Sequence, residues 1–407
     1  MKKLKTIGCS LFLLASLGCG KNDNEDYRSN LDTAVKDIHA NLQKELKTDV
    51  PSLSVYVVSP KGTLFSTATG VNGIPVTKNT YFRFASNTKN FTSTAILKMM
   101  QEGWLNLDDK ITAMIPGTNV PYTPDGAAWD FPHKSQITIR QLLQHNAGVY
   151  DITNDASKYN IDGESYTDYM LEHFPDHQFS TSDYVKILAE KSLTYGAPNT
   201  VYHYSNTGYS ILSEIIARIY SQKTGANKTY GNYMYDHIVG PGTKVPLEIR
   251  FPELASDKQL PMPYVTGFIK YDDHDEVTNL KNASAHIGEG NGIGTMKLLS
   301  DYIRSTMKAE NVLTASSIEQ MKTSKGPATA VKDRNYALGC FHLPGVGYGH
   351  NGATEGYLSM MLYDPETDFS VIVLLPFWDL RNNMENFPKC MNALNTAATE
   401  AKKALGY

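Results

Sequence analysis

The chain reads as an α+β fold: one antiparallel sheet flanked by helices, with a mainly helical subdomain inserted between the two halves of the sheet. Three observations lead there. Short β-branched runs lie near both ends of the chain, helical periodicities surround them, and the long middle carries helical patches and Pro/Gly/Asn-rich loops. With 41% hydrophobic and 20% charged residues over 407 positions, the composition supplies a sizeable core and excludes a disordered chain.

The first residues, MKKLKTIGCSLFLLASLGC, place Lys2, Lys3 and Lys5 ahead of an apolar run from Ile7 to Leu17, with Gly18 directly before Cys19. That is the pattern of an export signal, too short for a permanent membrane span. A Cys directly after a small residue suits lipoprotein processing, so residues 1–18 are expected to be removed and the Cys19 thiol to carry lipid. The protein is then an exported bacterial lipoprotein at the periplasm, outer membrane or cell surface, or a soluble secreted protein if ordinary signal peptidase cuts instead. Residues 19–30 are polar and acidic and are expected to form a flexible tether, leaving 31–407 as the folded domain.

Without residues 1–18 the chain loses three Lys and no acid, so 35 basic residues face 42 acidic ones, a balance of −7. Nothing in this points to nucleic acid, and the membrane enters only through the lipid anchor. Cys9 leaves with the signal, and Cys340 and Cys390 remain for the folded domain, where pairing and separate burial both stay open.

Leu31, Val35, Ile38 and Leu42 repeat at helical spacing and predict a first helix that Pro51 closes. SLSVYVVSP and GTLFSTATG, separated around Pro60 and Gly62, predict a hairpin. A helix is predicted from Ser86 to about Glu102, stopped by Gly103, and the inserted helical region runs from about 105 to 285 with its clearest helices at TIRQLLQH and YSILSEIIARIY. Helices then follow around MKLLSDYIRSTM and SSIEQMK. Strands are predicted in YALGCFHL, GYGHNG, GYLSMMLYD and FSVIVLLPF, and a last helix over residues 383–403. The active site is expected at the junction of sheet and insert.

Ser86-Asn87-Thr88-Lys89 puts a hydroxyl and an amine three residues apart, on one face of a helix. A serine is a weak nucleophile until a neighbour takes its proton, and a Lys does so once burial or nearby positive charge lowers its pKa. In PNTVYHYSNTGYSIL, Tyr204 and Asn206 lie two apart in a loop before a helix, where the phenol can shuttle a proton and the amide can hold Lys89 or a substrate amide. In GYGHNGATEGYLS, His350-Asn351-Gly352 sits on a predicted strand, with His350 expected to face the cleft as a donor and the glycines to admit a substrate backbone.

These three elements, in this order, resemble the penicillin-recognising serine hydrolases: class C β-lactamases, D-Ala-D-Ala carboxypeptidases, D-aminopeptidases and related esterases. YFRFASNTKNFTSTAILKMMQEGWLNLDDKI, ITIRQLLQHNAGV and GEGNGIGTMKLLSDYI extend the resemblance over most of the chain. It implies a β-lactamase/DD-peptidase-like fold without cofactor, with Ser86 as acyl-enzyme nucleophile, Lys89 and Tyr204 as acid/base pair, and Asn206 as an orienting amide. It further implies His350, Asn351 and Gly352 at the substrate, and an oxyanion hole from the backbone N–H groups of Ser86 and Ala353. The implied substrate is a small molecule or peptide, foremost a D-Ala-D-Ala or other D-peptide. An esterase, or an acyltransferase passing the acyl group to an alcohol, is the alternative. Where β-lactamases of this class carry K-T-G, His350 takes the Lys position, which turns the expectation away from β-lactam hydrolysis; the intact Ser86, Lys89 and Tyr204 turn it away from a non-catalytic penicillin sensor.

Two further patterns carry no chemistry of their own. GEGNGIGT lacks the preceding buried strand and following Lys-Ser/Thr of a nucleotide loop, so its glycines are expected to let a loop pass near the cleft, with Thr295 capping the next helix. His173 and His177 are four apart, but Pro175 between them disrupts the helix that a metal pair needs, and no metal site is expected.

Overall fold

The computed structural model describes residues 23–407 apart from 72, 74 and 332–334, so the expected export signal and Cys19 lie outside the described residues. The chain opens with helix α1 (Asp23–Leu46) and the hairpin β1 (Ser52–Ser59) and β2 (Gly62–Thr69). The tether expected over 19–30 is corrected from residue 23 on: these residues are helical. Tyr27 continues the stripe of Leu31, Val35 and Leu42 at the i, i+4 spacing and packs against the same core, so tertiary contact overrides the local polarity.

A short strand β3 (Tyr81–Arg83) and a 3₁₀ turn (Ala85–Asn87) lead into α2 (Thr88–Gln101). Helices α3 (Ile139–Leu143), α4 (Tyr166–His173), α5 (Thr181–Glu190), α6 (Asn206–Thr224) and α7 (Tyr230–Tyr233) follow. The middle region also holds two short strands, β4 (Phe268–Lys270) and β5 (Asp275–Val277). Then come β6 (Ile293–Thr295), α8 (Met296–Met307) and α9 (Ala315–Met321). The chain closes with β7 (Phe341–Leu343), β8 (Gly347–Thr354), β9 (Tyr357–Asp364), β10 (Phe369–Leu375), β11 (Phe377–Asp379) and α10 (Phe387–Ala404). The last helix starts four residues later than residue 383 because Asn382, Asn383 and Met384 all take positive φ, at 56°, 56° and 67°.

The main sheet has the order β2-β1-β10-β9-β8-β7, antiparallel throughout, so both chain ends build it. Alternate residues feed two cores. Leu358, Met360 and Leu362 join the core beneath α1 and α10, while Tyr357, Met361 and Tyr363 join the larger core that holds α2, α6 and α8. Helices on both faces explain why β9 and β10 read as unbroken apolar runs. Cys340 and Cys390 are free thiols, one in each core, so they do not pair.

No helix among the described residues is long and apolar enough to cross a membrane. Likewise, no group of three or more metal-binding side chains forms among them.

Candidate active site

The turn that carries Ser86 is tightly packed. Ala85 takes φ 52°, a left-handed conformation that costs a residue with a side chain about 1–3 kcal/mol. Three contacts hold it there. The Asn87 amide donates to Phe84 O at 2.9 Å and to Ser359 Oγ at 2.9 Å, and strand β8 presses directly on the turn. A Cβ on Gly352 would lie 2.2 Å from Phe84 O and 3.0 Å from both Ala85 Cβ and Asn87 Nδ2, so only glycine permits this approach. Strand β7 covers β8 only from Gly347 to Gly349, which leaves the edge of β8 beyond His350 free of a strand partner where Asn351, Gly352 and Ala353 line the pocket.

The Gly-rich segment meets this turn from the other side. Strands β3 and β6 pair Phe82 with Gly294, and Gly292 N–H donates to Thr88 Oγ1 at 3.0 Å. Thr295 caps α8 by accepting from Leu298 N–H, as its position in the sequence suggests. The loop delivers a residue that sequence reasoning missed: Glu289. Its backbone carbonyl lies 2.8 Å and its carboxylate 3.3 Å from Lys89 Nζ. The only sequence signal was its place inside GEGNGIGT, which spacing alone does not connect to a lysine two hundred residues earlier.

Lys89 is completely buried and donates to Ser86 Oγ at 3.0 Å. Burial pushes its ammonium below the usual lysine range, while Glu289 and Asp151 pull the other way. Burial pushes Glu289 up, but Lys89 and His286 outweigh it and keep it a carboxylate; His286 Nδ1 lies 2.6 Å from it. Tyr204 borders the same pocket as Ser86, and its ring centroid lies 4.9 Å from Lys89 Nζ. Burial drives the Tyr204 phenol well above the ordinary tyrosine range, so it stands in this site as a proton donor rather than a phenolate.

Ser86, Tyr204, Asn206, Asn351, Gly352 and Ala353 therefore border one pocket of about 500 Å³, with Lys89 directly beneath Ser86. Asn206 opens α6 and its buried Oδ1 has no hydrogen-bond partner among the described residues. Of its two expected tasks, holding Lys89 falls to Glu289 instead, which leaves the amide oxygen for a substrate N–H. His350 is placed differently from the expectation. It is 1% exposed, does not line the pocket, and points into the packing between β8 and the insert. Burial, then Lys89, hold its imidazole down to about 3, so it is neutral.

The remaining pocket wall is acidic and aromatic. Asp168, Glu289 and Glu355 line it together with His286, and no Lys or Arg does so among the described residues. Burial raises Asp168, whose Oδ2 accepts from Ser165 Oγ at 2.7 Å and which has no ion-pair partner among the described residues. Burial pushes Glu355 up, but Lys281, 3.2 Å away, and His286 outweigh it and hold it at about 2. Trp378, Met384 and Phe387 form an apolar side, with the two rings 5.0 Å apart edge to face.

Comparison with known proteins agrees with this fold. Protein flp of Staphylococcus aureus (strain MW2) is 24% identical over 371 residues, covering 88% of this chain and 65% of that protein, so the chain spans just under two thirds of that relative's length. Penicillin-binding protein 4* of Bacillus subtilis (strain 168) is 30% identical over 146 residues, 35% of this chain and 26% of that protein. Among solved structures, the D-stereospecific amidohydrolase of Streptomyces sp. superposes with a TM-score of 0.68 at 21% identity, covering 86% of this chain and 94% of that one. The D-amino acid amidase of Ochrobactrum anthropi SV3 does so with a TM-score of 0.69 at 19% identity, covering 93% and 99%. The beta-lactamase family model matches residues 31–378, and the chain, with its Ser86–Lys89–Tyr204 cluster on that fold, belongs to the beta-lactamase family of penicillin-recognising serine hydrolases.

Proposed function

We propose that the protein hydrolyses the amide bond at the carbonyl of a D-amino acid that carries a free α-ammonium, through an acyl-enzyme on Ser86. The observation that carries this is the pocket lining: Asp168, Glu289 and Glu355 face the space above Ser86 and no Lys or Arg does so among the described residues. An ammonium is stabilised there by Asp168, which has no ion-pair partner among the described residues, whereas the C-terminal carboxylate of a D-Ala-D-Ala substrate finds no Lys or Arg lining the pocket. Carboxypeptidation is for that reason the less favoured form of D-peptidase action. The Trp378–Phe387 side suits an apolar substrate side chain. The D configuration draws its support from the amidohydrolase and amidase neighbours.

In this reading Lys89, as the free amine, takes the Ser86 Oγ proton while the Oγ–C bond forms. The oxygen of the tetrahedral adduct lies between the N–H groups of Ser86 and Ala353. Tyr204 gives its phenolic proton to the departing nitrogen as the C–N bond breaks, and Lys89 returns a proton to the phenolate. Water then attacks the acyl-enzyme with the proton path reversed.

The test compares D-phenylalanine amide, its N-acetyl derivative and a D-Ala-D-Ala peptide in the wild type and in Asp168→Asn. The expected result is preference for the free amine, and in Asp168→Asn a KM raised about tenfold for that substrate alone, the loss of one charge-assisted hydrogen bond. Preference for the N-acetyl compound or the D-Ala-D-Ala peptide, or ester donors passing their acyl group to an alcohol in place of these hydrolyses, would overturn the proposal.

We further propose export and lipid attachment at Cys19, which rests on Lys2, Lys3 and Lys5, the apolar run and Gly18. Cells fed radiolabelled palmitate are expected to label the wild type, and Cys19→Ala to abolish the label.

A further inference from the structure

His350 sits in a buried cluster whose hydrogen-bond directions can be read from one end to the other. Its Nδ1 lies 2.5 Å from the backbone carbonyl of Asn351. A carbonyl only accepts, so this nitrogen carries the hydrogen. The neutral ring then offers Nε2 as an acceptor, and Tyr336 Oη lies 3.0 Å from it. On the far side of Tyr336 stands His145, itself 2% exposed and held at a left-handed φ of 60°. Its Nδ1 accepts the backbone N–H of Ser205 at 3.2 Å, and a backbone N–H only donates, so this nitrogen is bare. His145 must therefore carry its hydrogen on Nε2, 3.1 Å from Tyr336 Oη.

The chain runs one way: Ser205 N–H to His145, His145 to Tyr336, Tyr336 to His350, His350 to the Asn351 carbonyl. It begins at the residue after Tyr204 and ends at the residue before Gly352. The His145 ring also packs against the Tyr204 ring, with centroids 4.1 Å apart. The titratable groups around it are consistent with neutral imidazoles. Besides each other, the two rings face Lys89, Tyr204, Tyr202, Tyr209, Tyr336 and, at the edge, His203, and no carboxylate among the described residues contacts either. Burial disfavours protonation of both rings, and Lys89 adds to this whenever it is an ammonium.

We infer that His145, Tyr336 and His350 form a directed hydrogen-bond chain that positions Tyr204 on one side of Ser86 and the Asn351–Ala353 edge on the other, with His350 acting through the Asn351 carbonyl and not on the substrate. This separates the third motif's histidine from acid/base work. A ring that must donate through Nδ1 to its own neighbour and accept from Tyr336 has no nitrogen left for a substrate carboxylate or a leaving group.

The test uses the intact protein labelled with ¹⁵N-histidine. Long-range ¹H–¹⁵N spectra are expected to show His145 as the Nε2–H tautomer and His350 as the Nδ1–H tautomer, neither titrating between about pH 8 and 5. Tyr336→Phe removes the middle link and is expected to lower kcat about tenfold, with KM within twofold and the His350 Nε2 signal shifted. His350→Asn keeps an N–H near the Nδ1 position and is expected to retain several times the activity of His350→Gln, with the pH profile of the wild type.

The kcat arm rests on the acyl-enzyme reading above, whereas the tautomer arm stands without any substrate. A His350 that titrates near pH 6–7, an Nε2–H tautomer at His350, or a Tyr336→Phe protein with unchanged kcat would each overturn the inference, and the tautomer result decides it should Tyr336→Phe fail to fold.

Discussion

Glu289→Gln is expected to lower kcat about two-hundredfold to five-thousandfold and to move the acid limb of the kcat/KM profile to lower pH. Lys89 side-chain exposure is 0% and that of Glu289 is 3%, so the pair is fully desolvated. When Lys89 takes the Ser86 proton it becomes an ammonium with no water to solvate it, and Glu289 is the charge that compensates. Removing one partner of a buried pair costs about 3–5 kcal/mol, which sets the size of the rate loss. The sign of the pH shift follows from the same contact. Burial lowers the Lys89 pKa and Glu289 raises it, so without the carboxylate the amine becomes free at still lower pH. A pH series of kcat/KM for the wild type and the variant checks both statements; an unchanged rate with an unchanged limb would show that the Lys89 charge does not develop during acylation.

Gly352→Ala is the second large effect. Its Cβ would sit 2.2 Å from Phe84 O, a backbone atom that cannot swing aside as a flexible side chain would. Strand β8 must then move off the Ser86 turn, which releases the left-handed Ala85 and separates the N–H groups of Ser86 and Ala353. Losing one oxyanion donor costs about 10²–10³ in kcat, and the same loss is expected here together with a lower Tm. Single-turnover acylation followed by mass spectrometry, beside a thermal melt, separates the two consequences. A variant that melts early but acylates at the wild-type rate would mean that the β8 edge does not hold the oxyanion.

What was legible in sequence was local. Ser86 and Lys89 share a helix turn, Tyr204 and Asn206 flank a helix start, and Thr295 caps α8, because each depends on spacing of a few residues. The strands at both chain ends were legible for the same reason, since β-branched runs and turn residues mark them. The tether expectation misled from residue 23 on because Tyr27 is the one apolar residue of 23–30 and its neighbours are polar.

By itself, then, the sequence determined the fold class and marked the Ser86 hydroxyl, the Lys89 amine and the Tyr204 phenol, which are properties of short-range pattern. The tertiary structure alone decided the rest: that Glu289 is the countercharge of Lys89, that the pocket wall is acidic, and that His350 meets Tyr336, whose other side meets His145. Each of these is a contact between segments far apart in the chain, brought together by the β3–β6 pairing, by the packing of α4 and α10 around the pocket, and by the pressure of β8 on the nucleophile turn. Periodicity reports which face of an element is buried; only the assembled core decides what that face meets.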